Sequence, residues 1–283
     1  MAEKILILGS NGMLGRDLVQ AFLDFDVTAW DIEDLDITDS DQIVQKISEL
    51  KPEIIINATG YTNVDGAETN EELANQINGH AVGELAKTAS QIDAILVSIS
   101  TEYVFDGQEK DVYDETSKPN PINVYGKSKA LGEELLQKNC QKYYLVRSSW
   151  LYGKNPQVGK PRGMNFVDLM LKLAAKNKQL EVVDDQFGKP TYTVDLAQAV
   201  LQLIENKKPF GIYHLVNEAE KLGVSWYEFA QKIFALKNIT VDIKAVKTAE
   251  RPDKAKRPEH AVLINTKAEK LSSWEDALRE YLK

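Results

Sequence analysis

Tyr125-Gly126-Lys127-Ser128-Lys129 places a phenol and an amine four residues apart in a stretch patterned as a helix onset, with Ala130, Leu131, Leu135 and Leu136 as apolar positions. Residues four apart share one helix face, so Tyr125 and Lys129 can serve one site. A free phenol titrates at about pH 10. An ammonium held close favours the phenolate and moves such a pKa by roughly 1–3. The pair is therefore a candidate acid/base for proton exchange with a sugar or alcohol oxygen. A reacting oxygen needs a second hydrogen bond, and Ser100-Thr101, after the apolar run Ala94–Ser98, offers a hydroxyl at a strand end.

These groups must be positioned by the elements around them. Lys4-Ile-Leu-Ile-Leu8 has the unbroken apolarity of a buried parallel strand. It feeds Gly9-Ser10-Asn11-Gly12-Met13-Leu14-Gly15 and then a helical pattern of Leu14, Leu18, Ala21 and Phe22. Glycines between strand and helix let a backbone approach a pyrophosphate whose charge sits at the helix N-terminus. Gly9 and Gly12 are the expected close-approach positions, and Gly15 the packing one. A second strand, Val27–Trp30, ends at Asp31, where a carboxylate would bond an adenosine ribose 2′-hydroxyl and repel a 2′-phosphate. The next residues, Ile32 to Asp36, contain acids and no base, which leans the expectation to NADH over NADPH.

Asp39-Ser40-Asp41 caps a helix that Lys51-Pro52 ends, and the strand Ile54–Ile56 follows, opening into Asn57-Ala58-Thr59-Gly60-Tyr61-Thr62. The pattern predicts a long helix from Glu71 to Ala89, containing Asn78 and His80, the latter as a surface or packing residue. A strand over Tyr143–Val146 leads into Arg147-Ser-Ser-Trp150. Later helices are expected at Val167–Lys176 and Thr193–Glu205, with strands at Leu180–Val183, Ile212–Val216 and Val241–Val246. Ser225-Trp-Tyr-Glu228 begins a helix as a capping box, and Trp274 and Leu278 pack a terminal one. Alternating strands and helices without a repeat predict an α/β fold: a Rossmann-like doubly wound parallel sheet with a smaller C-terminal substrate-binding lobe. The expected division is 1–150 for the dinucleotide domain, completed by parts of 167–216, with 151–166 and 217–283 forming the lobe.

A chain of 283 residues with net charge −9 has no basic excess to neutralise nucleic-acid phosphates. Its single cysteine, Cys140, excludes an internal disulfide and a multi-cysteine metal site, as expected in a reducing compartment. No targeting segment or membrane span is read from it, so the expected location is the cytoplasm.

The motifs Asn57-Ala-Thr-Gly-Tyr-Thr-Asn-Val-Asp65, Ser100-Thr-Glu-Tyr-Val-Phe-Asp-Gly107, Asn123-Val-Tyr-Gly-Lys-Ser-Lys129 and Arg147-Ser-Ser-Trp-Leu-Tyr-Gly153 occur in order along the chain. They are joined by Asn165-Phe166, Asp185-Gln-Phe-Gly188, Pro190-Thr191, Gly211-Ile-Tyr-His-Leu215 and Arg257-Pro258. Taken together the sequence resembles the dTDP-4-dehydrorhamnose reductase family of the extended short-chain dehydrogenase/reductase superfamily. The resemblance implies reduction of the C4 carbonyl of a dTDP-bound 4-keto-6-deoxysugar by NADH or NADPH. It implies that Tyr125 protonates the C4 oxygen, Lys129 holds the nicotinamide ribose and lowers the tyrosine pKa, and Thr101 bonds the carbonyl. Gly12, Met13, Leu14, Asp31, Asp36, Ile37, Gly60, Tyr61 and Thr62 fall at cofactor positions, joined by Gly9 and Ala58 of the two loops. Glu102, Trp150, Asn165 and Arg257 fall on the substrate side, and His214 is structural.

The chain departs from that family's usual pattern in three places. Glu102 stands where an aspartate is usual, Ala261 replaces a serine, and the loop Gly153–Gly163 is longer. That loop, with Lys154, Lys160 and Arg162, is expected to close on the substrate diphosphate. Arg251 and Lys254 are further candidates for that contact. Some relatives dimerise around magnesium held by acidic side chains. Val194 occupies one such position, so no metal site is carried over, and a homodimer stays open. The competing readings are another nucleotide-sugar reductase, dehydratase or epimerase of the superfamily, and a non-catalytic subunit resembling the regulatory subunit of methionine adenosyltransferase. A dehydratase needs an additional acid and base, and Glu102-Tyr103 after Thr101 leaves no second carboxylate; a binding subunit has no need of an activated phenol.

Overall fold

Apolar runs of four or five residues, each followed by an amphipathic helix, build the first half of the chain. A computed structural model describes residues 3–108, 112–157, 159, 163–220, 222–250 and 255–283. In order these elements are β1 (Lys4–Leu8), α1 (Met13–Ala21), β2 (Asp26–Trp30), α2 (Ser40–Leu50), β3 (Ile54–Asn57), α3 (Val64–Ala67), α4 (Glu71–Asn75), α5 (Ala81–Gln91), β4 (Ile95–Thr101), α6 (Val124–Asn139) and β5 (Tyr143–Ser148). Then come β6 (Leu151–Tyr152), α7 (Phe166–Ala174), β7 (Gln179–Val183), β8 (Phe187–Gly188), β9 (Thr191–Tyr192), α8 (Thr193–Glu205), β10 (Gly211–His214), β11 (Val224–Ser225), α9 (Trp226–Leu236), β12 (Asp242–Val246) and α10 (Trp274–Tyr281).

Six strands form one parallel sheet in the order β10-β5-β4-β3-β1-β2. Both faces are covered, which is why its strands are apolar on successive residues. One layer packs Ile5, Ile7, Ile54, Ile56 and Val146 against Leu14, Leu18, Leu196 and Val200 of α1 and α8. The other packs Leu6, Leu8, Ile55 and Leu96 against Ile43, Ile47, Leu85 and Leu136 of α2, α5 and α6. The chain reverses direction across the sheet at β1/β3, and ligands bind at such a switch point, beyond the carboxyl ends of the strands. Register aligns those ends: Leu8 lies opposite Asn57, and Thr101 opposite Ser148.

A second cluster gathers residues from 150 onward. Tyr152, Val167, Met170, Leu180, Val182, Phe229, Ile233, Trp274, Leu278 and Tyr281 share one core. Within it β12 runs parallel to β7, and β8 pairs antiparallel with β11. The span 166–214 serves both bodies, since α7 and β7 enter this core while α8 packs on α1 and β10 completes the large sheet.

The helix predicted across 71–89 is instead α4, a wide π turn over Gln76–His80, and α5. The π turn lies against α6, where a Cβ on Gly132 would lie 2.1 Å from the Asn78 carbonyl oxygen. At that contact the extra residue of the π turn goes with an Asn78 side chain turned inward rather than along the helix. Strands β4 and β5 run past their predicted ends, to Thr101 and Ser148. No helix among the described residues is long and apolar enough to cross a membrane.

Candidate active site

The Asn123 side chain accepts the Gly126 amide at 2.7 Å and starts α6. That cap puts Tyr125 in the first turn, with Lys129 one turn and Glu133 two turns further on the same face. Gly126 allows this turn to approach the backbone of residue 103, because a Cβ there would lie 2.1 Å from the Tyr103 carbonyl oxygen. The Tyr125 phenol hydrogen-bonds Thr101 at the end of β4. The Thr101 hydroxyl donates to Glu102 Oε2 at 2.8 Å, and the Tyr103 ring stands edge-on to Tyr125 at 5.4 Å. Thr101, Tyr125 and Lys129 therefore converge at one sheet edge.

Their electrostatics differ from expectation. The Lys129 ammonium donates to the Ile99 carbonyl at 2.7 Å instead of facing the phenol. Burial and the Glu102 carboxylate push the Tyr125 pKa up, with Thr101 opposing them. The expected acidification by lysine is thus corrected: removing the phenol from water outweighs it in this arrangement. Burial lowers Lys129 to about 8, against the opposing charge of Glu133.

On the cofactor side, Gly9 has φ +77°, and a Cβ there would meet the Ala58 and Thr59 backbone at 3.0 Å. A Cβ on Gly15 would lie 1.9 Å from the Gly9 oxygen, so the loop closes tightly on α1. Gly12 caps α1 without any side-chain bond, leaving the Met13 and Leu14 amides of the first turn directed outward while their side chains are buried. An uncapped helix start behind a glycine loop fits a dinucleotide pyrophosphate. Asp31 accepts from the Asn11 and Ile32 amides at 2.8 and 2.9 Å, one bond to each oxygen, so lone pairs remain for a ribose hydroxyl. Asp36 instead closes a turn with Thr38, and the Ile37 side chain sits in the core. A contact from Ile37 to a nucleotide would come from main chain. Asn78 holds both the amide and the carbonyl of Tyr61, fixing the Gly60-Tyr61-Thr62 loop, and Thr62 Oγ1 is buried with no partner among the described residues.

On the substrate side the expected residues separate. Glu102 is buried and folds its longer side chain back onto Thr101. Trp150 adopts left-handed φ 48°, uncommon for a bulky residue, and one indole face is stacked on Trp226 at 3.5 Å. Gly188 leaves room for that indole, since a Cβ there would come within 2.5 Å of it. Arg257 donates to Asp65 at 3.0 Å and to the Tyr103 hydroxyl at 3.1 Å, tying the C-terminal segment to the active-site rim. Asn165 is a different case. It caps α7 and gives its amide hydrogens to the Gly153 carbonyl, Asp168 and Tyr281. Asn165, expected on the substrate side, here has those bonds made within the fold and serves as a cap. Lys154 is exposed with the Glu280 carboxylate in its field, while Lys160, Arg162, Arg251 and Lys254 lie outside the described residues.

Three residues escaped the sequence reading. Asn78 had no partner in sequence, as its bonds reach 17 and 50 residues away. Glu133 and Arg147 form a buried ion pair at 2.6 Å, with Arg147 1 % and Glu133 2 % exposed. The available signal was Glu133 lying four residues beyond Lys129. Beside it, His214 is buried and depressed to about 3 by burial and by Arg147, which fits a structural part. Among the described residues no cluster of three or more histidine, cysteine or acidic side chains is arranged to hold a metal.

Against known proteins, the family model described as the RmlD substrate binding domain matches residues 3–283. The dTDP-4-dehydrorhamnose reductase of Aggregatibacter actinomycetemcomitans is 38 % identical, over 98 % of this chain and 97 % of its own. The dTDP-4-keto-6-deoxy-D-glucose reductase of Streptomyces niveus is 37 % identical, over 83 % and 79 %. The crystal structure of dTDP-4-dehydrorhamnose reductase from Bacillus anthracis in complex with NADP superposes with a TM-score of 0.93 at 37 % identity, covering 100 % of this chain and 99 % of that one. A match of this extent, on a fold that brings a threonine, a tyrosine and a lysine together beside a dinucleotide cradle, means that the chain belongs to the dTDP-4-dehydrorhamnose reductase family.

Proposed function

We propose that the protein reduces the C4 carbonyl of dTDP-4-dehydro-β-L-rhamnose to give dTDP-L-rhamnose, using NADH or NADPH. The observation that carries this reading is the Thr101–Tyr125 hydrogen bond one helical turn from Lys129, at the carboxyl edge of the parallel sheet. When bound, a dihydronicotinamide would be the source of the hydride that C4 receives. Tyr125 then gives its proton to the C4 oxygen, so a carbonyl becomes a secondary alcohol. Thr101, turning its one hydroxyl proton from Glu102, would donate to the same oxygen and keep it in line with the phenol. Lys129, whose ammonium has protons beyond the one given to Ile99, would donate to the nicotinamide ribose and hold a positive charge one helical turn from the phenolate that remains. The raised phenol pKa suits this direction, because Tyr125 stays protonated and ready to donate at neutral pH.

The Met13 and Leu14 amides would hold the pyrophosphate, and Asp31 the adenosine ribose. Asp31 favours NADH, and Asp31→Ala is expected to weaken NADH binding about tenfold with less effect on NADPH, measured by calorimetry. Arg257 and Trp150 border the substrate side. The test of the reaction uses nicotinamide deuterated at its transferable position with dTDP-4-keto-6-deoxy-L-mannose. Deuterium at C4 of the product, with one dinucleotide oxidised per sugar, supports it; deuterium-free product or recycled dinucleotide rejects it. A second reading, reduction of an epimeric 4-keto-6-deoxysugar, is favoured by the likeness to the Streptomyces niveus enzyme, and the same assay run on the epimers separates the two.

A further inference from the structure

Tyr125, Lys129 and Glu133 lie at i, i+4 and i+8 of α6, so the helix stripe that carries the acid and the amine ends in a buried carboxylate. Glu133 is held from two directions. Arg147 of β5 donates through Nε and Nη2 to both carboxylate oxygens, at 2.6–3.2 Å, and the Ser100 hydroxyl donates to Oε1 at 2.5 Å. Ser100 stands between Ile99, whose carbonyl takes the Lys129 ammonium, and Thr101, which bonds Tyr125. Lys129 and Glu133 line one crevice with Asn78, Ser98 and Ser100, too tight to admit water. Their charges therefore act on each other without a solvent screen.

We propose that Glu133 is a positioning residue of the reductase site: clamped by Arg147 and Ser100, it keeps the Lys129 amine charged and locks the end of β4 in register with Tyr125. The assignment rests on the functional reading above for what Lys129 does, but not for how Lys129 is held. Tyr125 and Glu133 flank Lys129 on its own helix, and the surrounding elements carry Asp65 on α3, Glu71 and Glu72 on α4, His80 in the π turn, Glu84 and Lys87 on α5, Glu102 and Tyr103 after β4, Arg147 on β5 and His214 on β10. Among them Glu133 opposes the loss of the Lys129 proton, and His214 is uncharged at neutral pH. Neutralising Glu133 would leave Arg147 as an unbalanced cation in the same core, which disfavours the ammonium further. Arg147 needs its partner for stability in any case, so loss of folding alone would not distinguish a positioning role from a packing one.

The test follows Lys129 directly, by NMR of protein carrying 13C at lysine Cε, with the resonance assigned by its loss in Lys129→Met. The wild-type midpoint is expected near 8. In Glu133→Gln it should fall by about one pH unit or more, a tenfold loss of proton affinity. Glu133→Asp, which keeps the charge, should restore most of it. The kcat profile for sugar reduction should lose its alkaline side by the same interval, while KM for the sugar nucleotide changes less than about twofold. Should Glu133→Gln fail to fold, Ser100→Ala decides, since it removes one bond and leaves the ion pair; its midpoint should move the same way. A Lys129 midpoint unmoved in a folded Glu133→Gln, or in Ser100→Ala where that variant decides, overturns the assignment. Absence of sugar reduction by wild type would overturn the functional reading instead and leave this titration standing.

Discussion

Glu102 sets the charge beside the reacting phenol. Its carboxylate takes the Thr101 hydroxyl and, being buried, raises the phenol of Tyr125. Glu102→Gln removes that negative charge, so the Tyr125 pKa should fall, read as phenolate absorbance in a pH titration against Tyr125→Phe. Lys129 sets the other limit. Its pKa of about 8 lies below the ordinary lysine value of 10.5 because burial disfavours the ammonium. The charged form therefore persists below about pH 8 and is lost above it, and kcat for reduction should decline as pH rises through that value. A profile flat to pH 10 would contradict this. At this scale the sequence was a good guide to which residues share a helix face, since spacing puts Tyr125 and Lys129 on one side of α6. It was a poor guide to their charge state. Burial and the direction of the Lys129 side chain depend on Ile99, thirty residues away.

Local elements place these residues through close backbone approach. Gly126 and Gly132 let α6 lie directly on the Tyr103 and Asn78 carbonyls. Gly132→Ala must push that helix or the π turn aside, at a cost of about 1–3 kcal/mol in chemical denaturation. The same shift would displace Asn78 from Tyr61 and Ser128 and weaken dinucleotide binding. Asn123→Ala removes the cap of α6 and a bond to the Lys256 carbonyl, so a loss of about 1 kcal/mol or more is expected. Most strands and helices were legible from apolar runs and caps, including the capping box at Ser225 and Glu228. The π turn was not, because Gln76–His80 has an ordinary helical pattern. It packs against a glycine on α6, more than fifty residues later, a contact that the local pattern does not encode. The cap made by Asn165 was not legible for a related reason: its motif is compatible with a ligand contact, and only the surrounding bonds show the cap.

Across the whole molecule, contacts between the C-terminal segment and the large sheet complete the fold. Arg257 meets Asp65, Tyr113 bridges to Leu263, and His214 Nδ1 lies 3.2 Å from the carbonyls of Tyr113 and Ile264. The His214 ring takes its neutral form there, with a folded pKa of about 3 against 6.5 for an exposed histidine. Between those values the unfolded chain binds the extra proton, so stability is complete above about pH 6.5 and declines as pH falls. Tm should drop between pH 6.5 and 5, before most carboxylates titrate, and His214→Gln should flatten that slope. Alternating elements predict a parallel sheet completed by parts of 167–216, but the strand order, and which strand completes the sheet, needed the pairing of β10 with β5. The central claim is that the Tyr125 phenol, held by Thr101, protonates a sugar carbonyl beside a nicotinamide. Its most direct test is single-turnover oxidation of NADH and NADPH with dTDP-4-keto-6-deoxy-L-mannose, wild type against Tyr125→Phe. The account predicts a fall of about 10²–10⁴-fold in the chemical step with dinucleotide affinity unchanged. Wild-type protein that leaves the keto-sugar unreduced, or a phenylalanine variant that turns over within about threefold of it, would contradict the account.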